Sequence, residues 1–221
     1  NLSFTNASLF MALSAITILL FLFFGTKKKL LIPSKLQLVS EMSYTFVAKM
    51  INDTAGSNAK PFFPFIFTLF MFVLFCNMIG MLPYSFTVTS HIIVTFMLAA
   101  IVFVGVTVIG FIKHGIKYLE LFVPKGVPAI LLPLIVIIEI ISYLSRPVSL
   151  SVRLFANMMA GHTMLKVFGG FVISLGLLGG WLPLSFSVAL TGLEILVAFL
   201  QAYVFAILTC IYLNDALNLH H

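Results

Sequence analysis

Glu139, Arg146 and Arg153 stand seven residues apart in an otherwise apolar stretch, and Asn157 follows Arg153 by four. Nearer the end of the chain, Glu194 and Gln201 are again seven apart. Seven residues is about two helical turns, so each set shares one face, with Ser142 and Ser149 flanking the first. His162 comes about two and a half turns after Arg153, on the opposite face and about 13 Å further along; Glu139 lies about 21 Å the other way. A carboxylate and an imidazole pass protons near neutral pH. A guanidinium keeps its proton at any reachable pH, so it can only repel, pair or block.

A short connection makes the two helices that bear these groups antiparallel. If Arg153 sits level with Gln201, His162 faces Gly192, less than a turn from Glu194. The same register puts the bend near Leu177, inside the glycine-rich "GGFVISLGLLGGW". Three stations result: Glu139 at one end, Arg153 with Gln201 in the middle, and His162 with Glu194 at the other end. Two proton-accepting stations separated by a fixed cation describe two half-paths that must not connect.

The elements that position these groups belong to a membrane. The chain has 221 residues, 62% hydrophobic, with 24 Phe and only 8% charged; its mean hydropathy is +1.20. A soluble domain has about 25% charged residues. We therefore expect an all-α integral membrane protein forming a single membrane domain over 1–221, with about five membrane-embedded helices and one surface amphipathic helix. Residues 7–24 span. Residues 36–54, where Leu36, Val39, Tyr44, Val47 and Ile51 alternate with Gln37, Ser40, Glu41 and Lys49, are too polar to span and belong on the surface. Residues 62–82 and 91–112 form a spanning hairpin. Residues 129–168 and 184–213 form a second hairpin, whose first helix at about 60 Å is twice the hydrocarbon thickness. It must bend, for which Pro147 offers a place, or tilt; a steep tilt is the expectation.

Lysines set the orientation. Lys27, Lys28, Lys29, Lys35, Lys49, Lys60, Lys113, Lys117 and Lys125 fall on one side, and the opposite loops, 83–90 and 167–191, carry no Lys or Arg. The lysine side is the inner one, so the net charge of +6 is a topology signal and no nucleic-acid face. Cys76 and Cys210 sit in apolar runs without metal spacing and read as core thiols. The paired glycines lack a phosphate-loop pattern, so no nucleotide site is expected.

The segment "RPVSLSVRLFANMMAGH", the ending "LEILVAFLQAYVFAILTCIYLNDALNLH" and "FCNMIGMLPYSFTVTSH" resemble the subunit a family of F-type ATP synthases, of the alphaproteobacterial or mitochondrial kind. The resemblance covers nearly the whole chain. It implies a proton-translocating stator subunit that provides two offset half-channels, with no catalysis by this chain alone and no cofactor or metal. Arg153 would be the stator arginine facing a ring of c subunits. Glu139 would belong to the inner half-channel, His162 and Glu194 to the outer one, and Asn157, Gln201 and Ser149 would support the arginine. At Lys166 some relatives carry a further histidine, and this chain does not. The implied partners are the c-ring, peripheral-stalk b-type subunits, other synthase subunits, lipid and protons. The implied location is an energy-coupling membrane, the mitochondrial inner membrane or alternatively a bacterial plasma membrane. Arg146 either reaches the inner headgroups or pairs with Glu139. Asn77 and His91 are weaker candidates. A stand-alone proton-coupled transporter is the competing reading, against which stands the lack of an internal repeat.

Overall fold

The computed structural model describes residues 5–27, 33–82, 85–122 and 131–218. Six α-helices account for most of them: α1 Asn6–Thr26, α2 Lys35–Ala55, α3 Phe63–Gly80, α4 Ile92–His114, α5 Leu132–Gly179 and α6 Trp181–Leu217. Short 3-10 turns lie at Ser57–Phe62, Val88–Ser90 and Gly115–Phe122. Five helical segments are long and apolar enough to cross a membrane, and α2 is not among them. Of the lysines that set the orientation, Lys28, Lys29 and Lys125 lie outside the described residues.

Local chemistry starts the first two helices. Thr5 and Ser34 cap α1 and α2, their hydroxyls accepting from the backbone N–H groups of Ser8 and Gln37. Helix α1 is apolar all round and buries only Ser14 and Gly25, so most of its surface suits lipid. Gly25 is where it meets α2: a Cβ there would lie 2.7 Å from the Ser40 hydroxyl. Helix α2 is amphipathic, but its buried stripe of Val47, Met50, Ile51 and Ala55 packs on protein. Phe46 packs at a tilt against Phe70, Phe199 and Tyr203, tying α2 to α3 and α6.

The centre is built on α6. Ala198, Ala202 and Ala206 repeat every four residues and are fully buried, followed by buried Cys210. Such a stripe of small side chains lets neighbouring helices approach closely in lipid. Asn77 on α3 donates to the Ala198 carbonyl across 3.3 Å. At the other end of α6, Lys113 Nζ and His114 Nε2 both reach the Leu217 carbonyl, at 3.1 and 3.2 Å. Basic groups there complement the negative end of the α6 dipole, and they place the ends of α4 and α6 together.

One expectation about α5 is corrected. The helix does not stop at Phe168; it runs through Gly169 and Gly170 to Gly176, whose backbone (φ 61°, ψ −157°) is the one non-helical conformation between Leu132 and Gly179. Glycine at a left-handed angle carries no Cβ penalty, which is why the turn falls there. The backbone keeps helical angles through Pro147. A rod of roughly 65 Å without a break, against a hydrocarbon core of about 30 Å, must run at a steep slant. The positions 129 and 130 lie outside the described residues.

Candidate functional site

The α5–α6 hairpin has a covered side and an open side. On the covered side, α3 and the loop after it close over a cavity of about 620 Å³ lined by polar groups that include Thr87, His162, Thr163, Lys166, Thr191 and Glu194. On the open side, a smaller cavity of about 250 Å³ is bordered by Asn157, Gly161, Leu193 and again Glu194. Glu194 therefore stands in the seam between them, its residue only 5% exposed.

Gly161 makes this possible. A Cβ at position 161 would lie 2.6 Å from Glu194 Oε1 and 2.9 Å from its Cδ. The carboxylate occupies the space a side chain would take. His162 Nδ1 faces the same Oε1 at 3.7 Å, and among the described residues that oxygen has no hydrogen-bond partner. The other ring nitrogen, Nε2, is 2.7 Å from the Thr87 hydroxyl. Thr87 was not singled out from the sequence; its signal was the run of hydroxyl residues in the uncharged loop "SFTVTS".

Arg153 and Asn157 lie on the open side and are both exposed. Arg153 makes no hydrogen bond or ion pair to a described residue, and its field reaches the Tyr212 ring hydroxyl on α6. Asn157 Nδ2 donates to Gln201 Oε1 at 2.8 Å, and the buried Gln201 amide nitrogen has no partner among the described residues. Thus Gln201 meets Asn157 and not Arg153 directly, a correction of one turn to the expected register. Ser149 is exposed and makes no hydrogen bond to a described residue.

Toward the Leu132 end, Glu139 is half-exposed. Arg146 neither pairs with Glu139 nor points free to the surface. Its Nη1 reaches Asp215 Oδ2 at 3.1 Å, and its guanidinium lies 5.3 Å from the Tyr143 ring and 5.0 Å from the Tyr212 ring. Arginine between two aromatic faces gains cation–π attraction and is fixed in place. Tyr143 in turn bonds Thr107 at 2.7 Å and Tyr118 at 3.0 Å. Asp215 and the three tyrosines were missed in the sequence, because nothing local connects positions so far apart. His91 stacks on Phe86 and lies at the start of α4, apart from the seam.

The arrangement thus supplies a polar cavity ending on a histidine–carboxylate pair, a buried carboxylate shared with the opposite face, and an exposed guanidinium that makes no hydrogen bond or ion pair to a described residue. Comparisons with known proteins give the family. The sequence profile of the family described as ATP synthase A chain matches residues 8–214. The chain is 80% identical over its whole length to ATP synthase subunit a of Pelagibacter ubique, covering 91% of that protein. It is 62% identical to ATP synthase subunit a of Chelativorans sp., over all of this chain and 91% of the relative. It is also 62% identical to the subunit a of Rhizobium rhizogenes, over 99% of this chain and 90% of the relative. With a profile match across nearly all of its residues and full-length relatives at this identity, the chain belongs to the ATP synthase A chain family.

Proposed function

We propose that this chain is the proton-translocating stator subunit of a rotary ATP synthase, working against a ring of c subunits, with ATP chemistry on other chains. The bacterial relatives favour the plasma membrane of a bacterium over the mitochondrial inner membrane. The observation that carries the mechanism is that Glu194 borders both the covered cavity and the open face, while Arg153 is exposed and makes no hydrogen bond or ion pair to a described residue.

A proton enters the covered cavity and reaches His162 and Glu194. Because Gly161 has no side chain, the Glu194 carboxylate is within reach of a group docked against the open side. There it reloads a carboxylate of the rotor. A rotor carboxyl crosses lipid in its neutral form, since a bare charge in hydrocarbon is costly. Beside Arg153 the ionised form is favoured by the opposite charge, and the proton leaves toward Glu139. Arg153, about 13 Å along the helix from His162, blocks direct passage between the two paths. The Asn157–Gln201 bond braces the face on which the arginine stands. Each proton crossing contributes about 2.3 kcal/mol per 100 mV.

The test is Arg153→Ala in the intact synthase in inverted membrane vesicles. Proton-driven ATP synthesis disappears while passive proton leak through the membrane sector rises, and Arg153→Lys does not restore synthesis because a mobile ammonium does not replace a fixed guanidinium. Parental synthesis by an assembled Arg153→Ala complex overturns the proposal.

A further inference from the structure

The Thr87 hydroxyl touches two groups at once. Its Oγ1 lies 3.0 Å from the Gly80 carbonyl and 2.7 Å from His162 Nε2. A hydroxyl has one hydrogen to give, and a carbonyl oxygen can only accept. The Gly80 carbonyl belongs to the last turn of α3, where helix carbonyls lack donors of their own. The hydroxyl therefore donates to Gly80, and its oxygen accepts from His162 Nε2–H. In the neutral ring the free lone pair is then on Nδ1, the nitrogen that faces Glu194 Oε1 at 3.7 Å.

We infer that Thr87 is a positioning residue that sets the tautomer of His162, so that only Nδ1 exchanges a proton and does so with Glu194. The inference rests on the assignment of His162 and Glu194 to the outer path. A second feature of the fold supports it independently of the hydrogen bonds. A Cβ on Gly80 would come within 2.7 Å of Thr87 Cγ2 and 3.2 Å of its Cα. The glycine makes the space in which the loop folds back, so Thr87 is held against the end of α3 by shape as well as by its bond. Thr87 is 8% exposed, and its hydroxyl is engaged by Gly80 and His162.

The chemistry this gives is a relay with a direction. With Nε2 committed to Thr87, a proton arriving on Nδ1 yields imidazolium, and the same nitrogen passes it to the Glu194 carboxylate. That transfer returns the neutral ring to its starting tautomer without a ring flip. The opposite tautomer would present an N–H to Glu194 and leave the basic nitrogen toward Thr87, where no proton can be taken on or delivered. Proton transfer needs donor and acceptor at hydrogen-bond distance or joined by one water, and the 3.7 Å gap is within a small side-chain movement of that.

The experiment uses the intact synthase in lipid, labelled with ¹⁵N-histidine, with His162→Gln serving only to assign the signal. At alkaline pH, His162 in the parent and in Thr87→Ser shows a protonated Nε2 and a bare Nδ1. Thr87→Val, which keeps the shape and removes the hydroxyl, shows a protonated Nδ1 or a mixture. Losing this one buried hydrogen bond lowers proton-driven synthesis about tenfold in Thr87→Val, and Thr87→Ser stays within about twofold of the parent. A parent ring protonated on Nδ1, or on both nitrogens at alkaline pH, overturns the inference. So does a Thr87→Val complex with unchanged tautomer and rate. If that variant does not assemble, the spectrum of the parent decides alone. The spectrum needs no proton flow, so its outcome is separate from that of Arg153→Ala.

Discussion

Gly161→Ala isolates the seam between the two cavities. The added Cβ would sit 2.6 Å from Glu194 Oε1, whereas ordinary contact begins at 3.4 Å, so the oxygen must retreat by about 0.8 Å. The obstacle is a side chain rather than backbone, although the Glu194 Cδ at 2.9 Å and Cγ at 3.2 Å must give way with the oxygen. Alanine also favours a helix interior over glycine by about 1 kcal/mol. Assembly and thermal stability of the complex are therefore expected to be unchanged or slightly better. Proton transfer suffers instead, because displacing a reacting group by about 1 Å costs up to about 100-fold in rate. We expect proton-driven ATP synthesis to fall about 10- to 100-fold at a normal level of assembled complex. Glu194→Asp withdraws the carboxylate by one methylene, so it should be no slower with Gly161→Ala than without it, a non-additivity that marks two residues sharing one space. The assay is ATP synthesis in vesicles under an imposed proton gradient, normalised to assembled synthase. An assembled Gly161→Ala complex running within about twofold of the parent refutes the claim that the carboxylate works from that gap.

The inner end of the hairpin gives two further predictions. Asp215→Asn leaves Arg146 stacked between Tyr143 and Tyr212 but unpaired; with Asp215 38% exposed, the loss is about 1 kcal/mol or less. The double change Arg146→Gln with Asp215→Asn should cost less than the two single changes added together, read as the fraction of complex surviving a heat step, and strict additivity would show that the two charges are not coupled. Gly110→Ala drives a Cβ into the edge of the Tyr118 ring, against Cε2, Cζ and Cδ2, and a ring cannot yield as a carboxylate does. Overpacking costs about 1–3 kcal/mol, so the complex should accumulate less. Tyr118→Ala in the same chain should recover part of that loss on an immunoblot, and no change in accumulation would refute the packing argument.

The sequence made some of this legible because the signals were local or periodic. Apolar length and the flanking lysines separate α2 from the spanning helices, and seven-residue spacing gathers Arg153, Glu194 and Gln201 onto facing surfaces. The pairing of His162 with Glu194 followed from a register that set Arg153 level with Gln201, close enough to find the pair although Gln201 meets Asn157 one turn on. What stayed hidden depends on contacts that no period reports. Thr87 reaches His162 across 75 positions and Asp215 reaches Arg146 across 69. Gly161 looked like any small residue until the carboxylate beside it was located. Glycines misled in one place: Gly169 and Gly170 sit comfortably inside α5, as glycine often does in membrane helices, and the turn waited for Gly176.

The unbroken length of α5 has a geometric consequence for the motor. Glu139 and His162 are 23 positions apart on it, about 35 Å of helix, more than the whole thickness of the oil. If neither group is to emerge from the bilayer, the rod must carry them apart sideways as well as in height. A ramp of this kind turns depth into travel around the rim of the neighbouring rotor. On the proposed function, a proton picked up at one end of the slope is put down at the other only after the wheel has advanced.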